Sequence, residues 1–313
     1  MTAARRGMLW PLVVIAVGCV WLLMVAGALP EAVGDLMVRA WPALLILFGF
    51  DVLFGRRQLR VAQTALSANV IGVAATLVLL AALAWLAYER QADVVRSDQT
   101  ASFSQALGDE IEQVQIEINL QRTTVNVQPV EGDTRDLGAV FTGSEESVVT
   151  MDWAVEGDTG ILTVTERYEN AIPRLEDYGR GTLDLTLPVG VPVMSLFITG
   201  VEGDTDFDFG PLRVDQLNVA VGSGDLRLDL PRDDVLTGVL KTENGRIDLV
   251  VPQEVALTVS LAPGSGTPRY EYDSLRYDVL LNGTVKRKNT ESFQVGLTVW
   301  LDGGDPLVIE DVE

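Results

Sequence analysis

The chain has 313 residues, enough for more than one structural unit, and a net charge of −21. Residues 1–90 hold seven arginines and four acidic residues, a net +3, so residues 91–313 carry −24, a field that repels nucleic acid phosphates. The absence of histidine removes His-based acid–base catalysis, Ser-His-Asp triads and most zinc and haem sites, and the lone cysteine, Cys19, permits no intramolecular disulfide.

Residues 8–29, MLWPLVVIAVGCVWLLMVAGAL, are uncharged and long enough to cross a bilayer as a helix. Arg5 and Arg6 before them, and Ala26-Gly27-Ala28 at their end, also fit a signal peptide; the length of the apolar core favours a retained helix. A second apolar segment spans 36–55, and a third spans 66–88 with Trp85 and Tyr88 at its end as interfacial anchors. Arg56, Arg57 and Arg60 lie between these two. By the positive-inside rule the N-terminus and this arginine loop are cytoplasmic, and everything after Tyr88 is extracytoplasmic. Cleavage of the first segment leaves that orientation unchanged. The expected arrangement is a multi-pass anchor in the cell membrane over 1–90, a polar linker over 91–110 and an extracytoplasmic β domain over 111–313.

Beyond Ile111 apolar residues alternate with polar ones: Val114, Ile116 and Ile118, then Val125 and Val127, then Ile161, Leu162 and Val164. Residues 169–181 read as a loop or insertion. From Gly181 the pattern becomes periodic. GTLDLTLP, GDTDFDFGP, GDLRLDLP and GRIDLVVP begin at Gly181, Gly203, Gly224 and Gly245, which are 22, 21 and 21 residues apart. A proline follows seven residues after three of these glycines, and Gly210-Pro211 stands in the same place in the remaining repeat. A fixed period of this kind marks a solenoid, in which each repeat covers the edge of its neighbour.

The inward set is Leu183, Leu185 and Leu187; Thr205, Phe207 and Phe209; Leu226, Leu228 and Leu230; Ile247, Leu249 and Val251. A second strand lies between these, with columns at Leu196 and Ile198, Leu217 and Val219, Gly238 and Leu240, Val259 and Leu261. Two strands per repeat imply a flattened β-solenoid, two parallel sheets facing each other. The glycines suit positive φ at the corners and the prolines end strands. An antiparallel sandwich with coincidental spacing is the alternative. GGDPLVIE, residues 303–310, reads as the last capping rung.

Aspartates crowd the outward positions: Asp184; Asp204, Asp206 and Asp208; Asp225 and Asp229; Asp248. Stacked parallel rungs place Asp184 beside Asp206, Asp204 beside Asp225, and Asp208 beside Asp229. Like charges at that spacing are unfavourable unless solvent, Arg227 or a bound cation relieves them. One reading is a weak calcium site at Asp204, Asp206, Asp208, Asp225 and Asp229, since hard cations take several carboxylate oxygens. The other is a solvated acidic face that blocks sheet-to-sheet aggregation. Asp204–Asp215 starts like an EF-hand loop and fails at its sixth position, where Phe209 replaces the required glycine. Arg227 among Asp206, Asp229 and Asp248 is the nearest approach to a polysaccharide-cleaving constellation, and an ion-pair ladder explains it as well. No catalytic residues or cofactor other than calcium are expected.

RAWPALLILFGFDVLFGRR, residues 39–57, is similar to the Trp-Pro-led membrane helices of LiaF-type cell-wall-active-antibiotic response proteins. Residues 183–231 resemble the repeating β domain that follows those helices, the toastrack domain. The resemblance implies transmembrane α-helices followed by an all-β, solenoid-like toastrack domain. It also implies a non-enzymatic sensor or modulator of envelope stress that contacts a membrane protein such as a two-component sensor kinase. That function has no catalytic motif to carry over residue by residue. The alternative function is a cell-surface binding or adhesion module with an acidic, calcium-binding β face. The lipid bilayer and self-association through helices or solenoid ends complete the expected partners.

Overall fold

The computed structural model describes residues 58–61, 64–67, 94–130, 132, 134–170, 179–232, 234–266, 268–288, 294–301 and 305–312. They belong to two compact units. In the first, β1 (Gln58–Val61) and β2 (Thr64–Ser67) form an antiparallel hairpin that pairs Gln58 with Ser67. The candidate helices at 8–29 and 36–55 lie outside the described residues, as does 68–88 of the third. Leu66 and Ser67, expected at the start of that helix, belong to β2. No helix among the described residues is long and apolar enough to cross a membrane.

The second unit, 95–169 with 179–313, is all β among the described residues. Its first strands are β3 (Gln99–Ala106), β4 (Gln113–Pro129), β5 (Asp136–Gly143), β6 (Ser147–Glu156) and β7 (Thr159–Tyr168). The periodic region forms β8 (Gly181–Leu187), β9 (Val193–Glu202), β10 (Thr205–Asp208), β11 (Val214–Ser223), β12 (Leu226–Asp229), β13 (Leu236–Asn244) and β14 (Ile247–Pro252). The remainder are β15 (Ala256–Leu261), β16 (Arg269–Glu271), β17 (Tyr277–Val279), β18 (Val285–Arg287), β19 (Gln294–Trp300) and β20 (Pro306–Val312). The polar stretch 91–110, expected as a linker, therefore contains β3. Its Ala101 and Phe103 pack on the core, which is reason enough for the segment to order.

Two sheets face each other. Sheet I has the order β3-β5-β8-β4-β10-β12-β14-β20-β16. Sheet II has the order β6-β7-β4-β9-β11-β13-β19-β15-β18-β17. From β8 to β16 and from β7 to β15 every pairing is parallel; β3, β5, β6, β17 and β18 add antiparallel edges. In the middle the chain coils as expected, with β9-β10, β11-β12 and β13-β14 each contributing one strand to each sheet.

Both ends break the sequential order. The 17-residue β4 crosses from sheet II to sheet I, and its second half lies between β8 and β10, so that Val125 faces both Leu183 and Thr205. At the other end β20 lies between β14 and β16, and β19 between β13 and β15. GGDPLVIE thus leads into an internal rung and is not the cap expected from sequence. Period-two alternation fixes which face a residue takes and leaves its strand's neighbour open.

The inward columns of the four repeats are all buried, Thr205 among them. The corners explain the period. Gly203, Gly224 and Gly245 have φ of 146°, 148° and 153°. A Cβ there would lie 2.1, 2.0 and 2.0 Å from the carbonyl oxygens of Thr123, Gly203 and Gly224, so each corner rests on the one before it. Gly181 does not share the positive φ. Its constraint is packing, since a Cβ would meet the Phe141 ring at 2.9 Å.

Candidate functional site

The outward face of sheet I carries the aspartates. Its central column runs Asp184, Asn126, Asp206, Arg227, Asp248 and Val308 across successive strands. The expected contact between Asp184 and Asp206 is therefore absent. β4 inserts Asn126, whose side-chain amide donates to Asp184 Oδ1 at 2.7 Å. The pairs Asp204–Asp225 and Asp208–Asp229 do occupy equivalent positions on adjacent rungs.

Each aspartate has its own relief. Asp204 Oδ1 accepts the backbone N–H of Asp225 at 3.0 Å, and Asp225 Oδ1 accepts that of Arg246 at 3.0 Å. The recurring Gly-Asp pair is thus a clip: the glycine makes the corner and the carboxylate binds the amide of the next one. Asp204 Oδ2 pairs with Arg180 at 3.1 Å, and Asp225 Oδ2 with Arg246 at 3.5 Å. Arg227 lies 3.9 Å from Asp206 and 3.4 Å from Asp229; Arg246 lies 2.8 Å from Asp248. Asp208 turns back to accept the Gly210 N–H at 3.1 Å. Arginines and amides divide the five proposed calcium ligands into separate groups. Among the described residues no three His, Cys, Asp or Glu side chains are arranged to hold a metal ion.

Burial raises the carboxyl pKa of Asp229 above its ordinary value, with Arg227 opposing and Asp208 and Asp206 reinforcing the shift. Asp248 is raised for the same reason, opposed chiefly by Arg246. Asp248 Oδ1 is buried without a hydrogen bond, whereas the buried Asp229 Oδ1 keeps its ion pair with Arg227 at 3.4 Å. Those two carboxylates sit where β12 and β14 neighbour one another, and Asp248 faces Arg227 across the pairing.

Two buried polar clusters were not anticipated. Glu166, 1% exposed, accepts the N–H groups of Gln121 and Arg122 and the hydroxyls of Thr123 and Ser147. It stands at the bend where β4 leaves sheet II for sheet I and satisfies amides that the bend removes from a ladder. At the far end Arg287, 7% exposed, donates to the carbonyls of Pro252 and Val255 and pairs with Asp311 at 2.9 Å. Tyr277 donates to Asp311 at 2.8 Å, and burial drives its phenol pKa well up. One signal was available for both clusters: Glu166, Arg287 and Asp311 hold charges at inward positions of alternating strands.

Comparison with known proteins fits this architecture. No curated protein matches the chain. A candidate cell adhesion protein from Clostridium sporogenes superposes with a TM-score of 0.54 at 13% identity, over 68% of this chain and 100% of that one. A candidate adhesin from Bacteroides fragilis aligns with a TM-score of 0.30 at 10% identity, over 69% and 100%. The former shows a shared fold. Residues 91–245 match the family described as the N-terminal domain of toast_rack, DUF2154. The span begins just ahead of β3 and ends at the Gly245 corner. The chain carries a toast_rack N-terminal domain within a toastrack-like, β-solenoid-like unit.

Proposed function

We propose that this protein is a non-enzymatic, membrane-anchored modulator of the envelope-stress response, of the LiaF type, which contacts a membrane partner such as a two-component sensor kinase. The observation that carries the reading is the order of its parts: three apolar segments with arginines on one side, then a toast_rack domain. The apolar segments make the lateral contact and the β stack stands outside the membrane. Sheet I supports a structural role for its own charges, because its aspartates serve neighbouring rungs. The decisive experiment replaces residues 1–90 with an unrelated multi-pass anchor and follows co-purification of a sensor kinase from native membranes. Loss of the kinase with a folded outer domain is the expected result, and retention sinks the reading.

A second reading has one specific observation behind it. The fold is shared with a candidate cell adhesion protein, so the same domain suits surface binding. In that case the anchor swap leaves function intact, and only envelope polymers or other copies of the protein co-purify.

A further inference from the structure

The two sheets turn unlike faces outward. That of sheet I carries the aspartates and arginines, which pair with one another and with neighbouring amides. Sheet II is different. Three rows of outward side chains cross β4, β9, β11, β13 and β19 in register, and Glu117 and Lys241 are the only charges on them. Both are tied down: Glu117 accepts the Gln115 side-chain amide at 3.2 Å, and Lys241 pairs with Glu243 at 3.0 Å. In a stretch of chain that carries −24, this face is neutral.

The middle row runs Glu117, Phe197, Asn218, Val239 and Thr298, and the next row ends in Lys241 and Trp300. Phe197 and Trp300 are partly exposed aromatics on rows otherwise rich in hydroxyls and amides. They stand three strands apart, about 14 Å across the sheet. Lys241 Nζ lies 4.8 Å from the centre of the Trp300 ring, a cation–π contact that fixes the ring in its row. Asn119, Gln216 and Asn218 make no side-chain hydrogen bond among the described residues. Unlike the aspartates of sheet I, these amides serve no neighbouring rung. Asn119, Thr199, Gln216 and Thr237 are exposed, so the face is open.

We propose that the outward face of sheet II binds a strand of uncharged polysaccharide laid across β9, β11, β13 and β19. Phe197 and Trp300 pack on sugar rings, and Asn218 and Thr298 bond to sugar hydroxyls. Charge and composition select the occupant. The acidic second unit repels a polyanion, and a cationic partner finds its complement in the aspartates of sheet I. An apolar partner, such as a lipid surface or a hydrophobic helix, would strip water from the hydroxyls and amides without replacing their hydrogen bonds. A sugar strand matches both parts of the face. Its hydroxyls donate and accept, as Asn, Gln and Thr do, and the C–H faces of its rings pack on aromatics. The rows repeat at each strand, roughly 4.8 Å apart, so a repeating polymer meets a repeating surface. The inference names a ligand class for the surface-binding reading and rests on it; the kinase contact does not depend on it.

The test pellets the full-length chain, in a detergent without a sugar headgroup, with insoluble chitin, cellulose and starch in turn. Chitosan, the cationic form of chitin, is the charge control. Wild type should pellet with at least one uncharged polymer, at low and high salt alike. Phe197→Ala and Trp300→Ala should each weaken that binding by a few-fold to about tenfold. Asn218→Ala should weaken it as well, with unchanged melting. Asn218 points away from the core, so its variant decides the matter if an aromatic variant unfolds. Pelleting with chitosan alone, released by salt, places binding on the acidic face; it overturns the proposal and keeps the surface-binding reading. Binding to an uncharged polymer that all three variants retain does the same. A chain that pellets with none of the polymers also overturns the proposal, and the anchor swap then judges the surface-binding reading separately.

Discussion

Asp248 shows how a single outward residue reports its surroundings. Its side chain is 12% exposed, with Oδ2 on Arg246 at 2.8 Å and Oδ1 buried without a hydrogen bond. Burial outweighs the arginine and raises its folded pKa above the ordinary 3.8. The folded chain therefore binds this proton more tightly than the unfolded chain does. The ionised group weakens the fold above its folded pKa, and the penalty disappears as pH falls through that value toward the unfolded 3.8. Asp248→Asn should accordingly melt higher than wild type at pH 7, with the gap closing on acidification toward pH 4, in paired thermal scans. A gap that widens on acidification would show that Arg246 dominates instead. Glu166 differs in its hydrogen bonding: its two oxygens take four donors, and its value lies in pairing the Gln121 and Arg122 amides at the β4 bend.

At the scale of the element, alternation told most of the truth about faces and little about neighbours. Leu183, Phe207, Leu228 and Leu249 were legible as core because a period of two allows one answer for each strand. The Gly203, Gly224 and Gly245 corners were legible because positive φ there excludes a side chain. The insertion of β4 between β8 and β10 was invisible, since any strand with the right face completes a parallel ladder equally well. The same ambiguity made β20 resemble a cap. Its actual place between β14 and β16 has a consequence that a cap would not. A chain ending at residue 293 loses β19 and β20, and with them the only parallel partner of β15 and β16 among the described residues. Hydrogen exchange on the full and shortened chains should then show protection lost across residues 256–287 as well as along β13 and β14. Loss confined to the edges of β13 and β14 would mean that β15–β18 stand without the inserted rung. Glu166 and Arg287, charges at inward positions, were readable as anomalies, although their partners come from strands that only the topology brings near.

For the molecule as a whole, charge is segregated: +3 over residues 1–90 and −24 over 91–313. Within the second unit Arg227 and Arg246 offset neighbouring aspartates locally, so the repulsion left over is mainly long-range. Such repulsion is screened over a Debye length of about 8 Å at physiological salt and over about 30 Å at 0.01 M. Added sodium chloride should therefore raise the melting temperature of the β unit in the full-length chain, by stabilisation on the order of 1 kcal/mol between those two conditions. The same measurement judges the calcium idea. Asp204, Asp206, Asp208, Asp225 and Asp229 are held apart by separate amides and arginines, so calcium at matched ionic strength should stabilise no more than sodium does. A calcium-specific excess, abolished by Asp204→Asn with Asp225→Asn, would mean that the carboxylates leave those partners to converge on a cation. Equal effects of the two salts identify the face as a screened acidic surface whose carboxylates keep their amide and arginine partners.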